Sequence, residues 1–306
     1  MDTKQIEYIL KIAEENNITK AAEKLFITQS ALNQQLLKLE KELGTPLFHR
    51  SRTNWRLTEA GEIYIEGAKA ALQIKNTTYN RIYDVVSARK GHLTIGLTPG
   101  RGLRMFTSIY PELHRSFPNL DVRPIEMRVR AQQDAIAKGD IDVGLMTLTQ
   151  KDQTSDTYYP LKQEELVLII PSGHPLAAKA APSGESLTTL DLTELRYEPF
   201  VLMDKTSTLR SSCDLLFEKA GFAPNILFET NNTSGIAAMV QSTLCCGIIP
   251  RYYTLGLTEG VACFSLPERP SWEIVISCQK NGYLNSGARE FIRLAREYWE
   301  NSAPLF

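Results

Sequence analysis

The sequence predicts a small, mainly helical amino-terminal domain that continues into one long helix, followed by a larger domain of two α/β lobes. Three observations support this division. Apolar residues recur at helical spacing over the first part of the chain, strand-like and helical segments alternate over the rest, and the net charge changes sign between the two parts. The 306 residues are enough for about two domains.

Charge is distributed unevenly along the chain. Residues 1–90 carry 14 Lys and Arg against 11 Asp and Glu, whereas residues 91–306 carry 20 against 24. The net charge is therefore +3 in the first part and −4 in the second, although it is only −1 overall. A basic small domain joined to an acidic large one is the asymmetry expected when only the small domain meets phosphate.

Apolar spacing and capping residues predict three helices at the amino terminus. The first buries one face, formed by Ile6, Ile9, Leu10 and Ala13. Thr19 is expected to cap a short second helix over residues 20–26, and Thr28 a third helix that Gly44 ends in the left-handed conformation. Two helices joined by such a short turn form a helix-turn-helix unit.

The exposed face of the third helix has the chemistry of a DNA-reading surface. Amide side chains pair with adenine, hydroxyl groups bind base edges or phosphate, and the start of the helix directs N–H groups at phosphate. We expect this face, which has no acidic residue, to contact DNA through Thr28, Gln29, Ser30, Asn33, Gln34 and Lys38. An ordinary solvated helix face is the alternative that this segment alone leaves open.

An arginine-rich segment follows the third helix. Residues 46–57 contain three arginines and no carboxylate, and their apolar residues can anchor a small hairpin on the helices. Such a basic wing suits phosphate or the minor groove. We expect it to contact DNA through Arg50, Arg52 and Arg56.

This part of the chain resembles the DNA-binding domain of the LysR-type transcriptional regulators. The matching residues occur in the family's order and spacing: Ala21-Ala22, Leu25, Gln29-Ser30-Ala31, Leu39-Glu40, Leu43-Gly44, Leu47-Phe48, Arg50 and Leu57-Thr58-Glu59-Ala60-Gly61. Asn33 stands where the family usually has Ser, and Ser30 where Pro is common, so no target sequence can be transferred. The resemblance implies a winged helix-turn-helix and a transcriptional regulator that binds double-stranded DNA.

A long helix is predicted from a cap at Thr58 to about Arg89, with Gly91 as its stop. Apolar residues at every seventh position form a seam of Ile65, Leu72, Tyr79 and Val86. A helix this long cannot bury its stripe within one protomer, so we expect a dimer; packing on the carboxyl-terminal domain is the alternative. In the resembled family this is the linker helix between protomers, which implies a dimer of dimers, a homotetramer.

Strands and helices alternate from residue 91 onward. Repeated β-α-β segments with short loops predict a parallel sheet covered by helices, and Pro124 places the second strand near a sheet edge. This half resembles the family's effector domain at residues 139–144, 171–176 and 247–250. The resemblance implies a two-lobed, periplasmic-binding-protein-like (type 2) architecture.

The domain organisation follows from these segments. Residues 1–58 are predicted to form the all-α winged helix-turn-helix, 59–90 the linker and dimerisation helix, and 91–306 the effector-binding domain. Within the last, lobe I is expected to comprise residues 91–161 and 268–306, and lobe II residues 162–267.

The effector is expected to bind between the lobes, since open α/β sheets bind ligands beyond the carboxyl ends of their strands. The glycine-containing loop after the first strand opens a helix, which favours an anion, so a small carboxylate or phosphate is expected. Arg128 and Arg130 would add positive charge, unless they are solvated or paired. The expected contacts are Thr98, Pro99, Gly100, Arg101, Val129, Lys205, Thr206, Ser207 and Asn231. Closure around the effector is expected to alter the spacing of the DNA-binding heads.

Other classes of protein are disfavoured. The sequence has no nucleophile elbow, P-loop or metal-ligand cluster, so we expect no catalysis, no cofactor and no bound metal. A transporter's solute-binding protein would need export, but the chain begins without a secretory signal, so a cytoplasmic protein with no membrane partner is expected. RNA polymerase is a candidate further partner. The five cysteines are expected to be buried thiols, with redox sensing as the alternative.

Overall fold

The computed structural model describes residues 2–51, 55–86, 89–182, 184–257 and 259–301. The chain forms two units. The amino-terminal unit comprises residues 1–92 with two short pieces, 119–121 and 138–140, and the carboxyl-terminal unit comprises the remaining residues.

Four helices and a short hairpin make up the described part of the amino-terminal unit. In chain order they are α1 (Thr3–Glu15), α2 (Ile18–Lys24), α3 (Gln29–Leu43), β1 (Phe48–His49), β2 (Arg56–Leu57) and α4 (Glu59–Val85). The hairpin is antiparallel, with Phe48 opposite Leu57. The predicted helix-turn-helix and wing are therefore both present.

Short polar side chains start these helices, as the sequence indicates, with one correction. The Thr28 hydroxyl accepts from the Ala31 N–H at 3.2 Å, which confirms the predicted cap of α3. The second helix begins earlier than predicted and is capped by Asn17, whose Oδ1 accepts from the N–H groups of Thr19 and Lys20 at 2.9 and 3.1 Å. Thr19 cannot serve as the cap, because it already lies inside the helix and its hydroxyl donates to Gln29.

The helices enclose one apolar core. Fully or nearly fully buried side chains from α1, α2, α3, the hairpin and α4 meet there: Ile6, Ile9, Ile12, Ile18, Leu32, Leu36, Leu39, Leu47, Phe48 and Tyr64. Ile65 and Leu72 of α4 pack against the same core. α4 ends at Val85, short of the predicted Arg89, and Gly91 lies within the next strand instead of ending the helix.

Gly61 allows α4 to pack directly on the start of the wing. A Cβ atom at this position would lie 2.1 Å from the Leu47 carbonyl oxygen. That carbonyl accepts from the Thr58 N–H at 3.0 Å, while the Thr58 hydroxyl donates to the Pro46 carbonyl at 2.8 Å. The start of α4 and the wing are therefore held together by backbone groups that leave no room for a side chain.

The carboxyl-terminal unit alternates strands and helices. Its elements are β3 (Lys90–Leu97), α5 (Arg101–Ser116), β4 (Asn119–Glu126), α6 (Val129–Lys138), β5 (Val143–Leu148), β6 (Thr157–Pro171), β7 (Pro199–Met203), α7 (Thr208–Lys219), β8 (Asn225–Thr230), α8 (Thr233–Gln241), β9 (Gly247–Pro250), β10 (Val261–Ser265), β11 (Ser271–Cys278) and α9 (Ser286–Asn301). β10 and the first half of β6 were not anticipated from the sequence.

The main sheet is mixed, not parallel as predicted. Its order is β10-β6-β11-β5-β3-β4, with β9 also paired to β6, while β7 and β8 form a separate parallel pair. β3 and β5 are parallel, but β11 runs antiparallel to both β5 and β6. β11 inserts between β5 and β6, which precede it in the chain. The spacing of β-α-β segments does not reveal the direction in which such a later strand runs. The predicted edge position of β4 is confirmed.

β6 belongs to two layers of strands. Residues 157–165 pair with β11, whereas residues 166–171 pair with β9 and β10. The Leu166 N–H donates to the Pro270 carbonyl at 2.8 Å, so the outgoing and returning chains are joined where the pairing changes. This change lies close to the boundaries that were predicted between the lobes.

Candidate nucleic-acid interface and ligand cavity

The polar face of α3 lies open on the surface of the amino-terminal unit. Gln34 and Lys38 are exposed and have no side-chain hydrogen bond to another described residue, and Asn33 is partly buried beside them. At the start of the helix, the hydroxyls of Thr28 and Ser30 are 3.2 Å apart, and Gln29 Oε1 accepts from Thr19 at 3.2 Å. The start of this face is thus organised by its own hydrogen bonds, and its later residues are available to a partner.

The wing arginines differ in their surroundings. Arg50 forms an ion pair with the buried Glu40 of α3, and its guanidinium carbon lies 5.5 Å from the centre of the Trp55 ring. Arg56 is exposed and forms no ion pair with another described residue. Arg52 lies outside the described residues. Arg50 therefore holds the hairpin against α3, and Arg56 presents its charge to solvent.

Three exposed apolar side chains lie along one side of α4. Ile63, Ile74 and Val85 are 67%, 69% and 85% exposed. They are spaced eleven residues apart, which is about three helical turns, so they lie in line. The predicted seam is divided: Tyr79 and Val86 are exposed, whereas its other two members, Ile65 and Leu72, pack on the core of their own unit.

The carboxyl-terminal unit contains a cavity of about 720 Å³. Its wall on one side comes from the β3–α5 loop and the start of α6, and on the other from the starts of α7 and α8; residues 250–256 and Trp272 complete it. Four helices, α5 to α8, therefore begin at this cavity. Each brings N–H groups that have no partner inside the helix and a partial positive charge.

The structure brings most of the predicted effector residues together. Those that line the cavity are Thr98, Pro99, Gly100, Arg101, Val129, Thr206, Ser207 and Asn231. Lys205 is exposed and does not line it. Asp204 Oδ1 accepts from the N–H and hydroxyl of Thr206 at 3.0 and 2.6 Å, and this turn places the neighbours of Lys205 in the cavity instead.

Arg101 is buried and neutralised. Its side chain is 5% exposed and forms an ion pair with Glu164, which is fully buried on β6. Glu164 also accepts from Trp272 Nε1 at 2.7 Å and from the Tyr252 N–H at 3.0 Å. The Arg101 guanidinium carbon lies about 5.5 Å from the ring centres of Tyr252, Tyr253 and Trp272, and its Nε has no hydrogen-bond partner.

A second ion pair links the two sides of the cavity. Arg128 Nη1, directly before α6, lies 2.6 Å from Asp204 Oδ1, which follows β7. Burial would raise the pKa of Asp204, but hydrogen bonds from Thr206 and Arg128 outweigh it and lower that pKa. Arg128 is thus already paired with a carboxylate that the sequence pattern did not reveal.

Arg104, one turn into α5, was missed at the sequence level. It lines the cavity, is exposed, and forms no ion pair with any described residue; its guanidinium carbon is 5.9 Å from the Tyr252 ring centre. The start of α5 has no side-chain cap, and Gly100 takes a φ of +73° there. The Gly100 N–H donates to Glu126 at 3.3 Å. A helical spacing of three from Arg101 was the only signal that could have placed Arg104 here.

All five cysteines are free thiols, and all but Cys263 are buried. Within residues 2–51, 55–86, 89–182, 184–257 and 259–301, no helix is long and apolar enough to span a bilayer. The same residues hold no group of three or more His, Cys, Asp or Glu that could bind a metal ion.

Comparison with known proteins agrees with this two-part organisation. Residues 3–62 match the family described as bacterial regulatory helix-turn-helix protein, lysR family, and residues 87–300 match the LysR substrate binding domain. The HTH-type transcriptional regulator YcgK of Bacillus subtilis (strain 168) is 29% identical over 307 residues, which cover 97% of this chain and 94% of that protein.

Solved structures show the same fold along nearly the whole chain. A full-length OxyR variant from Pseudomonas aeruginosa superposes with a TM-score of 0.69 at 21% identity, covering 99% of this chain and 96% of that one. Full-length CbnR in complex with its target DNA gives a TM-score of 0.66 at 20% identity, covering 97% and 100%. The predicted winged helix-turn-helix and two-lobed, periplasmic-binding-protein-like domain are confirmed. The chain therefore belongs to the LysR family of DNA-binding transcriptional regulators and carries the family's substrate-binding domain for effector ligands.

Proposed function

We propose that this regulator reads its operator through the exposed face of α3, with the wing on the DNA backbone, and that an anionic effector in the cavity of the carboxyl-terminal unit controls this binding. The observation that carries the DNA part is the uncovered polar surface of Asn33, Gln34 and Lys38 on α3, together with the exposed Arg56 of the wing. CbnR, which superposes along nearly the whole chain, is solved on its target DNA.

The contributions of these side chains should differ in kind. Gln34 offers an amide that can pair with adenine and so distinguish sequences, whereas Arg56 offers a charge that acts on any phosphate. Arg50 has a smaller share in DNA affinity, because its guanidinium already pairs with Glu40. Its loss would act mainly through the position of the hairpin.

The test compares cognate and random DNA. Gln34→Ala should weaken binding to the cognate operator by about 1–3 kcal/mol and leave random DNA unchanged, while Arg56→Ala should weaken both and flatten the salt dependence. Gln35→Ala is the matched control, since Gln35 is also exposed on α3 but lies about 100° further round the helix. Equal losses on both DNAs for Gln34→Ala would remove it from base reading.

We also propose that two protomers associate through α4. The seam consists of Ile63, Ile74 and Val85, because these side chains are exposed in line while Leu72 is occupied by its own core. A two-fold protein reads half-sites one or more helical turns apart. A dimer of dimers is the assembly we propose for the full regulator, acting in the cytoplasm, with RNA polymerase as a candidate partner.

The effector part rests on the cavity itself. Four helix starts and three arginines surround about 720 Å³, and no Asp or Glu is among the described lining residues. Such a site favours an anion. We propose Thr98, Pro99, Gly100, Val129, Thr206, Ser207 and Asn231 as contacts, with Arg101 supporting the wall through Glu164. Lys205 is not part of this set, since it does not line the cavity.

A further inference from the structure

We infer that the effector is a hydroxylated anion, with its acidic group at Arg104 and the first turn of α5 and its hydroxyl groups on the opposite wall. This inference rests on the effector cavity proposed above and specifies the class of ligand. Three observations support it: the pairing of the lining arginines, the polar side chains opposite α5, and the aromatic side chains that complete the cavity.

Only one of the three lining arginines has its charge available. Arg101 forms a buried ion pair with Glu164, and Arg128 forms an ion pair with Asp204 on the opposite side of the cavity. Breaking either pair to bind an effector would leave a carboxylate without its partner, and for the buried pair that is strongly unfavourable. Arg104 has no such carboxylate among the described residues, so an anion binds there without that cost.

The start of α5 adds its dipole at the same position, but the N–H groups of residues 100–102 already have acceptors. Gly100 provides no side chain to cap the helix, and its own N–H donates to the Glu126 carboxylate at 3.3 Å. The Arg101 N–H donates to the Pro99 carbonyl, and the Gly102 N–H donates to the Thr98 carbonyl. The anion-binding element is therefore the charge of Arg104 together with the helix dipole, which suits one acidic group.

The facing wall carries a run of amides and hydroxyls beside the apolar side chains of Met203 and Leu209. Asn231, Asn232, Thr233 and Ser234 line it in succession where β8 passes into α8. Asn232 caps the helix by accepting from the Ser234 N–H at 3.0 Å, while the Asn231 side chain is exposed and has no hydrogen bond to another described residue. Away from this wall, Thr98 of the β3–α5 loop and Thr147 at the end of β5 add two further hydroxyls to the cavity. An alkyl or aryl acid would desolvate these groups without replacing their bonds to water, which opposes its binding.

The floor is aromatic but already occupied at its centre. Tyr252, Tyr253 and Trp272 line the cavity and also surround the Arg101 guanidinium. The C–H groups of a polyol chain fit such a floor, while its hydroxyls reach the walls. No described lining residue carries a carboxylate, so an amine or other cation has nothing to neutralise it.

The test uses the full-length protein and four probes of similar size at constant ionic strength. Gluconate is a hydroxylated carboxylate, sorbitol phosphate a hydroxylated phosphate, hexanoate an acid without hydroxyls, and sorbitol a polyol without charge. Thermal shift followed by calorimetry should show binding by gluconate, sorbitol phosphate or both, and at least tenfold weaker binding by hexanoate and sorbitol. Which of the two anions binds more tightly identifies the acidic group.

Two variants locate the ends of the ligand. Arg104→Gln should weaken the hydroxylated anion at least tenfold, and Arg130→Gln is the matched control, since Arg130 is exposed nearby but does not line the cavity. Asn231→Leu should weaken the hydroxylated anion several-fold and leave hexanoate unchanged.

Three results overturn the inference: hexanoate binding as tightly as gluconate, sorbitol binding as tightly as either anion, or no shift from either hydroxylated anion. The proposed function is judged separately. Hexanoate binding that depends on Arg104 would keep the anionic effector and remove only its hydroxyl groups, and the operator assays with Gln34→Ala do not depend on any probe.

Discussion

The two surfaces to which we assign functions are built in opposite ways. The proposed DNA-reading surface comes from one continuous stretch of chain, α3 and the wing that follows it. The proposed effector cavity draws residues from positions as far apart as Thr98 and Trp272. The polar groups of α3 are mostly open to solvent, whereas two of the three arginines at the cavity are already paired inside the protein.

This difference has a consequence for mutations. Removing Gln34 or Lys38 from α3 should take away a proposed contact with DNA and little else, since neither side chain has a hydrogen bond to another described residue. Removing a charged residue at the cavity leaves its partner without compensation, so stability and ligand binding change together. Variants of the cavity therefore need stability measurements beside binding measurements.

The largest effect is expected for Glu164→Gln. It leaves the Arg101 charge buried without its carboxylate, which should lower the free energy of unfolding by about 3–5 kcal/mol. Denaturant unfolding followed by the fluorescence of Trp272 and Trp299 measures this. Glu185→Gln, at an exposed position, is the control. If the double variant Arg101→Gln, Glu164→Gln were as unstable as the two single losses added together, the pair would not be coupled.

The next effect tests the amino-terminal unit. Gly61→Ala places a methyl group 2.1 Å from the Leu47 carbonyl oxygen, so α4 and the wing must move apart. Overpacking of this kind costs about 1–3 kcal/mol, and more against rigid backbone. Trp55, in the wing, reports the change by fluorescence, and DNA affinity should fall with it. Gly67→Ala is the control, because a Cβ there meets nothing within 4 Å. Unchanged wing and DNA binding in Gly61→Ala would contradict this packing.

A smaller effect should distinguish the exposed line of Ile63, Ile74 and Val85 from the seam that the sequence predicted, which includes Leu72. Ile74→Asp puts a charge on the exposed line and should shift the protein toward monomers at least tenfold in dissociation constant, without unfolding either unit. Light scattering and sedimentation measure the oligomer. Leu72→Asp is the contrasting variant, since Leu72 packs on the core and its loss should destabilise the amino-terminal unit first. An unchanged oligomer in Ile74→Asp would exclude this face.

The smallest effect concerns pH and the cysteines. Burial raises the pKa of Cys213 and Cys246 to about 12 and that of Cys263 to about 11. The folded chain therefore keeps protons that the unfolded chain releases from about pH 9 upward, so the free energy of unfolding should fall between about pH 9 and pH 12. Cys213→Ala should reduce this slope in denaturant titrations.

The same burial predicts that the cysteine thiols react slowly at neutral pH. Because the thiolate is the reactive form, iodoacetamide should modify the folded protein slowly near neutral pH and the denatured protein quickly. Rapid alkylation or disulfide formation in the folded state would instead support the redox alternative that the sequence left open.

The helical half of the molecule could be predicted from the sequence because its signals are local. Apolar spacing, the Thr28 and Thr58 caps and Gly44 act within one or two turns of helix, and all three capping positions are confirmed. The predicted cap of α2 lies two residues too late in the chain. Asn17, not Thr19, has the extended backbone of an N-cap, and its side chain accepts from the first N–H groups of the helix.

The sequence predicted where the cavity lies but not which of its charged residues are paired. Loops after strands and before helices placed Thr98, Ser207 and Asn231 near one another, because strand ends meet at a common edge. The direction of β11 and the double role of β6 could not be foreseen, since strand pairing joins residues about a hundred positions apart.

By itself, the sequence determined the order of helices, the chemistry of the α3 face and membership in the LysR family, because each depends on residues close together in the chain. Only the tertiary structure decided which charges are available. Glu164 is brought to Arg101, and Asp204 to Arg128, by the course of β6 and β7, whereas Arg104 meets no carboxylate among the described residues. A cation's role depends on its neighbours in space, and burial strengthens each pairing that the fold creates.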